Sequence, residues 1–413
     1  MMHEYTKLEE CRFCGGKNLL SYLDLGSMAL ANAFLTEEEL SEEKKYPLDV
    51  LFCEECSLSQ LSIVINPEIL FKKYVYRSSI SKSFAQHCEE LAQTLNREDI
   101  LKEGALAVDI ASNDGCLLRS FKNTGSRVLG VEPAVNLAQI ANDSGVETIP
   151  EFWSVKVAEQ IQKKYGTADI ITAFNVFAHV HDCTLFLKAI KKLLSPDGYF
   201  ILESPHVLDL IKNVEFDTVY HEHLSYLSLK SLASLCKKNG LRIAKVKKYS
   251  MHGGSIRLFI EHQERADRSD ESLMIRLKEE EGEGLHHFER YKQFGTSVQK
   301  IREDLIATLQ GIHGDGKIVY GFGASAKGNT LLNYCHLDVR SLRGIFDETP
   351  EKHDKLTPGM HIPVLNLKKM ATEKPDYLLL LAWNFAEEIM NKTKEFHNAG
   401  GKYIIPVPKV KVV

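Results

Sequence analysis

The sequence predicts an α/β protein in three parts: a small cysteine-bearing unit, a central doubly wound domain, and a second α/β domain at the C-terminal end. Three observations lead there. Short apolar runs alternate with helical patterns from about Phe84 to Glu203 and again after Gly314, as βαβ units around a mostly parallel sheet require. A Glu- and Lys-rich stretch, Glu271 to Leu309, separates the two series. Residues 1–72 have few long periodic runs and carry two Cys-x-x-Cys pairs. At 413 residues the chain also exceeds what one hydrophobic core usually holds. The expected divisions are 1–72, 73–255 and 256–413.

The elements follow in order. Phe84, Cys88, Leu91 and Leu95 mark one face of a helix. Ala105–Ile110 reads as a buried strand, and Gly115–Phe121 opens a helix. Arg127–Val131 is a second strand, followed by a helix through Leu137 and Ile140. Ala168–Phe174 is the next strand, with a helix over Leu185–Leu194, a turn at Ser195-Pro-Asp-Gly198 and a strand over Tyr199–Glu203. The stretch from Glu271 to Leu309 suggests one or two solvated connecting helices. Beyond it, strands fit Lys317–Tyr320, Leu342–Phe346, Asp376–Leu381 and Lys402–Ile405.

Composition is that of an ordinary soluble globular protein, 44% hydrophobic and 26% charged. No window approaches the roughly 18 apolar residues of a membrane span, and the opening Met-Met-His-Glu-Tyr lacks a signal-peptide pattern. A cytoplasmic location is expected, with no membrane partner. A net charge of −5 argues against nucleic acid as a partner. Nothing in the sequence sets an oligomeric state, and a monomer is compatible with it.

Nine cysteines in a reducing compartment make a disulfide framework a poor reading. Cys11-Arg-Phe-Cys14 and Cys53-Glu-Glu-Cys56 are two knuckles able to give four thiolates to one tetrahedral Zn²⁺. Such a closed shell leaves no place for water, so the metal would be structural. A DNA-binding zinc ribbon fits less well, because Lys and Arg do not cluster around these pairs. The other five cysteines read as small buried apolar residues.

Val108-Asp109-Ile-Ala111-Ser-Asn113-Asp114-Gly115 ends a strand and precedes a helix, with small residues that admit a ligand close to the backbone. Glu132-Pro133, after the next strand, offers a carboxylate able to take both hydroxyls of a ribose. Asn175, after the third, lies at the same sheet edge, where ligands of doubly wound sheets bind. Together these resemble the signature of class I methyltransferases, which bind S-adenosylmethionine.

Tyr220-His-Glu222-His223 gathers four proton-handling side chains, a set suited to taking a proton from carbon. His252-Gly-Gly-Ser-Ile-Arg257 adds a Gly-rich turn and a cation. Tyr74-Val-Tyr76 places phenols at a domain junction, and His179 and His181 follow Asn175.

The ordered set of both Cys-x-x-Cys pairs, Leu25-Gly…Leu30-Ala-Asn32, Ser-Asn-Asp-Gly, Tyr-His-Glu-His, His-Gly-Gly-Ser-Ile-Arg and Gly321-Phe-Gly-Ala-Ser-Ala-Lys-Gly-Asn329 resembles the nucleotide-sugar C-3′-methyltransferase family, along almost the whole chain. The resemblance implies a zinc-binding domain, a class I (Rossmann-like) methyltransferase domain and a C-terminal Rossmann-like domain that helps hold the nucleotide sugar. The implied substrate is a TDP- or GDP-linked 4-keto-6-deoxysugar, methylated on carbon through an enolate. His223 matches the general base, which the expected mechanism has oriented by Glu222; Tyr220, Glu222, Tyr76 and His179 match residues around the sugar. His181, where many relatives carry proline, leaves open which histidine faces the substrate, and Tyr74 against Tyr76 is open in the same way.

Gly321-Phe-Gly323-Ala-Ser-Ala326, with Asp347 downstream, also fits a dinucleotide fingerprint. An NAD(P)-dependent nucleotide-sugar dehydrogenase or epimerase is therefore the rival reading, and a sugar O-methyltransferase the nearer one. With the resemblance in hand, Ser325, Lys327 and Asn329 suit a pyrophosphate at a helix N-terminus, and His252 and Arg257 are further candidates for the substrate.

Overall fold

The structure, a computed structural model, describes residues 4–71, 77–249, 253–265 and 270–413. At its centre is a seven-stranded sheet in the order Leu241–Tyr249, Ser255–His262, Leu194–Pro205, Ala168–Phe174, Leu106–Ile110, Arg127–Val131, Thr148–Ile149. The last five strands are parallel, and the first two pair antiparallel at one edge. Leu106–Ile110 is buried at every position, as expected of a strand covered on both faces. The helix Lys82–Arg97 covers one face through His87, Cys88, Leu91, Ala92 and Leu95. Ser81 caps it by accepting from Phe84 N.

Three expectations need correction. The division at 255/256 cuts into a strand, since Ser255–His262 pairs with both neighbours in the central sheet. Ser195–Gly198 is not a separate turn; it bulges within one long strand, whose register on Ala168–Phe174 shifts between Leu194 and Tyr199. The connecting helices, Ser272–Gly282 and Phe288–Gly314, are not simply solvated. The longer one buries Tyr291, Phe294, Val298, Ile301, Leu305, Leu309 and Ile312 along one face. At ~1.5–3 kcal/mol for each large apolar side chain, that stripe makes the helix part of the core.

The N-terminal unit is a four-stranded antiparallel sheet, and its edge strand comes from far along the chain. Ser225–Tyr226 pairs with Ser59–Leu61, which is followed in order by Lys45–Cys53 and Leu19–Ala29. The C-terminal domain has six strands in the order Val364–Asn366, Ile345–Asp347, Val319–Phe322, Tyr377–Leu380, Lys402–Ile405, Lys411–Val412, parallel except for the last. Cys88, Cys116, Cys183, Cys236 and Cys335 are buried, as expected. Among the described residues no helix is long and apolar enough to cross a membrane.

Candidate active site

The chain runs outward from Leu106–Ile110 through Arg127–Val131 on one side, then returns to Ala168–Phe174 on the other. At this switch point the carboxyl ends of the strands part, which is where such sheets take ligands. A cavity of about 920 Å³ opens there, lined on one wall by Ala111, Asn113, Glu132, Pro133 and Asn175. Ala111, Asn113 and Asn175 all have left-handed backbones, with φ between 52° and 56°. Ala111 has no side-chain reason to be there, and such strain gathers at functional sites. Gly130 is required by packing, because a Cβ there would lie 2.5 Å from Ser112 Oγ.

Glu132 holds this wall together. Its two carboxylate oxygens accept from Asn113 N at 2.9 Å and from Ala134 N at 2.8 Å, while burial raises its pKa. Each oxygen still has lone-pair capacity for a hydroxyl. Asp109 lies beneath, in an adjoining small cavity, accepting from Thr172 Oγ1 at 2.6 Å. Burial pushes its carboxyl up to about 7.

The opposite wall carries Tyr220, His223, His179 and His181, with Lys327 from the C-terminal domain. His223 Nδ1 lies 2.8 Å from the carbonyl of Thr218, which can only accept, so Nδ1 carries the proton. Nε2 is then the basic nitrogen, and the Tyr220 hydroxyl donates to it at 3.0 Å. His179 Nδ1 likewise donates to the main-chain carbonyl of Glu222 at 2.7 Å, and its ring centre is 5.0 Å from that of His223. Burial lowers the pKa of His179, which keeps it neutral near pH 7. Around these groups Asn175 Oδ1, Ser204 Oγ, Thr218 Oγ1, Ser225 Oγ and the Tyr226 hydroxyl are buried without a hydrogen-bond partner among the described residues. Orphaned polar atoms on a cavity wall suit a polar ligand.

In the N-terminal unit the sulfurs of Cys11, Cys14, Cys53 and Cys56 all lie within 4.8 Å of one another. Cys11 and Cys56 are 3.5 Å apart and Cys14 and Cys53 3.6 Å, close to the ~3.8 Å edge of a tetrahedron with Zn–S bonds of about 2.3 Å. The donor set fits zinc.

Family models match in the same order along the chain: a zinc binding domain over residues 11–71, a methyltransferase domain over 81–246 and a C-methyltransferase C-terminal domain over 250–408. C-methyltransferase NovU of Streptomyces niveus is 39% identical over 407 residues, covering 98% of this chain and 97% of its own length. The chain belongs to the C-methyltransferase family.

Other likenesses are partial. A ubiquinone biosynthesis O-methyltransferase of Acinetobacter baylyi is 28% identical over 99 residues, 23% of this chain and 42% of that protein. The magnesium protoporphyrin IX methyltransferase of Synechocystis, solved with bound S-adenosylmethionine, aligns over 43% of this chain and 77% of its own at 13% identity, with a TM-score of 0.33. By its family models and its four clustered cysteines, the C-methyltransferase combines a zinc-binding domain with a methyltransferase domain.

Several residues of this C-methyltransferase lie away from where the sequence suggested. Glu222 does not orient His223; its carboxylate accepts from Asn32 Nδ2, and the Thr218 carbonyl takes the orienting part. Arg257 is no substrate ligand in this arrangement. It is buried, bonded to Glu203 at 2.6 Å and to the Tyr249 hydroxyl at 3.1 Å. Asp114 faces Ser79, accepting from its amide and hydroxyl, and Gly115 caps the following helix at φ 78°. Ser325 caps the helix Ala326–Cys335 by accepting from Gly328 N, and Asn329 is buried with its amide on the Ala31 carbonyl. Of that trio only Lys327 lines the cavity, 3.4 Å from Glu215 and above the Trp383 ring. Tyr74, Tyr76 and His252 lie outside the described residues.

The dinucleotide-like turn serves its own domain. A Cβ on Gly323 would meet Ala382 at 2.9 Å, and one on Gly328 would meet Leu381 at 2.7 Å. Asp347 accepts from Ala324 N at 2.7 Å and from Thr349 N at 2.8 Å. Both of its oxygens are engaged within the turn. The Thr218 carbonyl was invisible to sequence reasoning because a main-chain acceptor leaves no residue-type signal. Tyr226 and Trp153 on the cavity wall were also missed, though Phe152-Trp153 after a short strand is an aromatic signal that could have been read.

Proposed function

We propose that this C-methyltransferase moves the methyl group of S-adenosylmethionine to C-3′ of a nucleoside-diphosphate 4-keto-6-deoxyhexose. The observation that carries the reading is one cavity with two chemically different walls. On one, Glu132 and the left-handed turns suit a ribose and an amino acid. On the other, an imidazole with a fixed tautomer presents Nε2 beside a phenol.

Bound S-adenosylmethionine supplies an electrophilic methyl on a sulfonium. The chain's own groups do the rest. His223 Nε2 takes the proton from C-3′, which the neighbouring ketone acidifies, and the electron pair delocalises onto the ketone oxygen. The Tyr220 hydroxyl, displaced from Nε2 by the substrate, donates to that oxygen as negative charge builds there. His179 stays neutral and adds no positive charge beside a sulfonium. Lys327 faces the diphosphate as a point charge. The enolate carbon then bonds to the methyl as the carbon–sulfur bond breaks, a step that alignment at short range accelerates. Tyr76, by its family match, and His252, from the Gly-rich motif, remain candidates for contact with the sugar. A cytoplasmic setting goes with this reading, since the four zinc-binding thiols stay reduced there.

The test is mass spectrometry of products from a panel of TDP- and GDP-linked 4-keto-6-deoxyhexoses, protonated and deuterated at C-3′. The expected product gains one methylene and loses the C-3′ deuterium. A methylated product that keeps the deuterium would assign O-methylation instead.

A further inference from the structure

The Leu30-Ala-Asn32 stretch has no part in the chemistry above, yet it reaches the Tyr220–His223 loop. Asn32 Nδ2 donates to Glu222 Oε1 at 2.7 Å. Among the described residues Asn32 is the one hydrogen-bond partner of that carboxylate, which is buried, whereas Asn32 itself is exposed. The preceding carbonyl, that of Ala31, accepts from Asn329 Nδ2 at 2.7 Å, and Asn329 is 1% exposed. The same stretch is laid on the C-terminal domain further along. Leu35 and Leu356 exchange main-chain hydrogen bonds at 3.1 and 2.8 Å, and a Glu43 oxygen accepts from Gly359 N at 2.7 Å. On its other side, the Glu222 carbonyl takes the Nδ1 proton of His179. One peptide of the loop is therefore gripped from the N-terminal unit, which is in turn gripped by the C-terminal domain.

We infer that Asn32 is a positioning residue: seated by Asn329 through Ala31, it sets the Glu222 side chain and thereby the carbonyl that orients His179. The inference rests on the reading that this loop bears the reaction. A buried carboxylate with no cation beside it among the described residues needs its donor. Burial raises the pKa of Glu222 and the Asn32 amide opposes that rise, so losing the amide leaves the carboxyl either to take up a proton or to turn toward water. Either change moves peptide 222. Asn329, expected to hold substrate, acts on this account through the main chain of a neighbouring domain.

The experiment compares hydrogen–deuterium exchange of amides 220–224 in the full chain and in Asn32→Ala, Asn329→Ala and the double variant. Affinity for S-adenosylmethionine is measured by calorimetry, and turnover on an accepted nucleotide sugar. Both single variants should exchange this segment about tenfold faster, the scale of one lost hydrogen bond, and the double variant no faster than Asn32→Ala. Cofactor affinity should stay within about twofold and the calorimetric stoichiometry should match that of the unmodified protein, while kcat falls tenfold or more at unchanged KM for the cofactor; the undiminished stoichiometry separates this from a loss of folded enzyme. Wild-type exchange in Asn32→Ala would overturn the proposal, and so would additive effects in the double variant. Should the unmodified protein methylate no keto sugar, the substrate reading falls, while the exchange rates still decide the role of Asn32.

Discussion

The Tyr220 hydroxyl stands 3.0 Å from Nε2 of His223, and the two ring centres are 4.1 Å apart, so the phenol covers the basic nitrogen. Tyr220→Phe keeps the ring and removes the donor. Turnover should fall about ten- to a hundredfold, the range of one hydrogen bond to developing charge, with cofactor affinity unchanged. Steady-state kinetics beside calorimetry checks this, and full activity in the phenylalanine variant would remove the hydroxyl from the mechanism.

His223→Ala should bind S-adenosylmethionine normally and lose about 10²–10⁴-fold in methyl transfer, the usual weight of a positioned general base. Exchange of the C-3′ hydrogen with solvent should fall with it. Undiminished exchange in the variant would mean that another group takes the proton.

Arg257→Ala is expected to act on stability. Its guanidinium and the Glu203 carboxylate have side chains only 3% and 1% exposed, and removing the guanidinium leaves the carboxylate buried with His87 Nε2, at 2.7 Å, as its remaining side-chain partner among the described residues. The loss should be about 3–5 kcal/mol in denaturant unfolding, and Arg257→Lys should not restore it, because Lys lacks the planar fork. A folded variant of ordinary stability with a raised KM for the sugar would instead return Arg257 to the substrate.

Asp109 gives the fold a pH dependence of its own. Its carboxyl is pushed up to about 7 by burial, against about 4 in an unfolded chain. Between those values the folded form keeps a proton that the unfolded form has lost, so this group makes stability fall as pH rises from about 4 to about 7. Asp109→Asn, which cannot ionise, should remove that slope, gaining on the unmodified protein by up to ~4 kcal/mol across the window. Urea titrations at pH 5 and pH 8 (roughly the ends of the usable window) test it, and parallel profiles for the two proteins would contradict it.

Cys11→Ser should cost folding rather than chemistry, since three thiolates and a hydroxyl cannot close the zinc shell. Metal analysis and thermal melts decide the point. A metal-free, folded and fully active Cys11→Ser protein would show that zinc is dispensable.

The parallel sheet was legible because strands such as Leu106–Ile110 and Ala168–Phe174 are continuous apolar runs between turn residues, and their carboxyl ends carry Ala111, Glu132 and Asn175 as the order implied. The four cysteines were legible because their spacing alone brings thiolates together in pairs. Arg257 was misread because a cation after a Gly-rich turn looks exposed in sequence, and only the packing of Glu203 and Tyr249 shows it buried. Asn329 looked like a ligand of phosphate because it opens a helix, but a neighbouring domain's carbonyl reaches it first. The Glu222 side chain turns to Asn32 for the same kind of reason: the contact spans most of two domains in sequence, and no local pattern announces it.

The edge strand Ser225–Tyr226 also bears on how the chain is made. As synthesis proceeds, both cysteine knuckles leave the ribosome early and can take their metal. The small sheet beside them nonetheless waits with an open edge at Ser59–Leu61 until residue 226 has emerged. The N-terminal unit is therefore not a cassette that could be cut away or transplanted at residue 72. Its last strand directly follows the Tyr220–His223 loop, so completing the one builds the other.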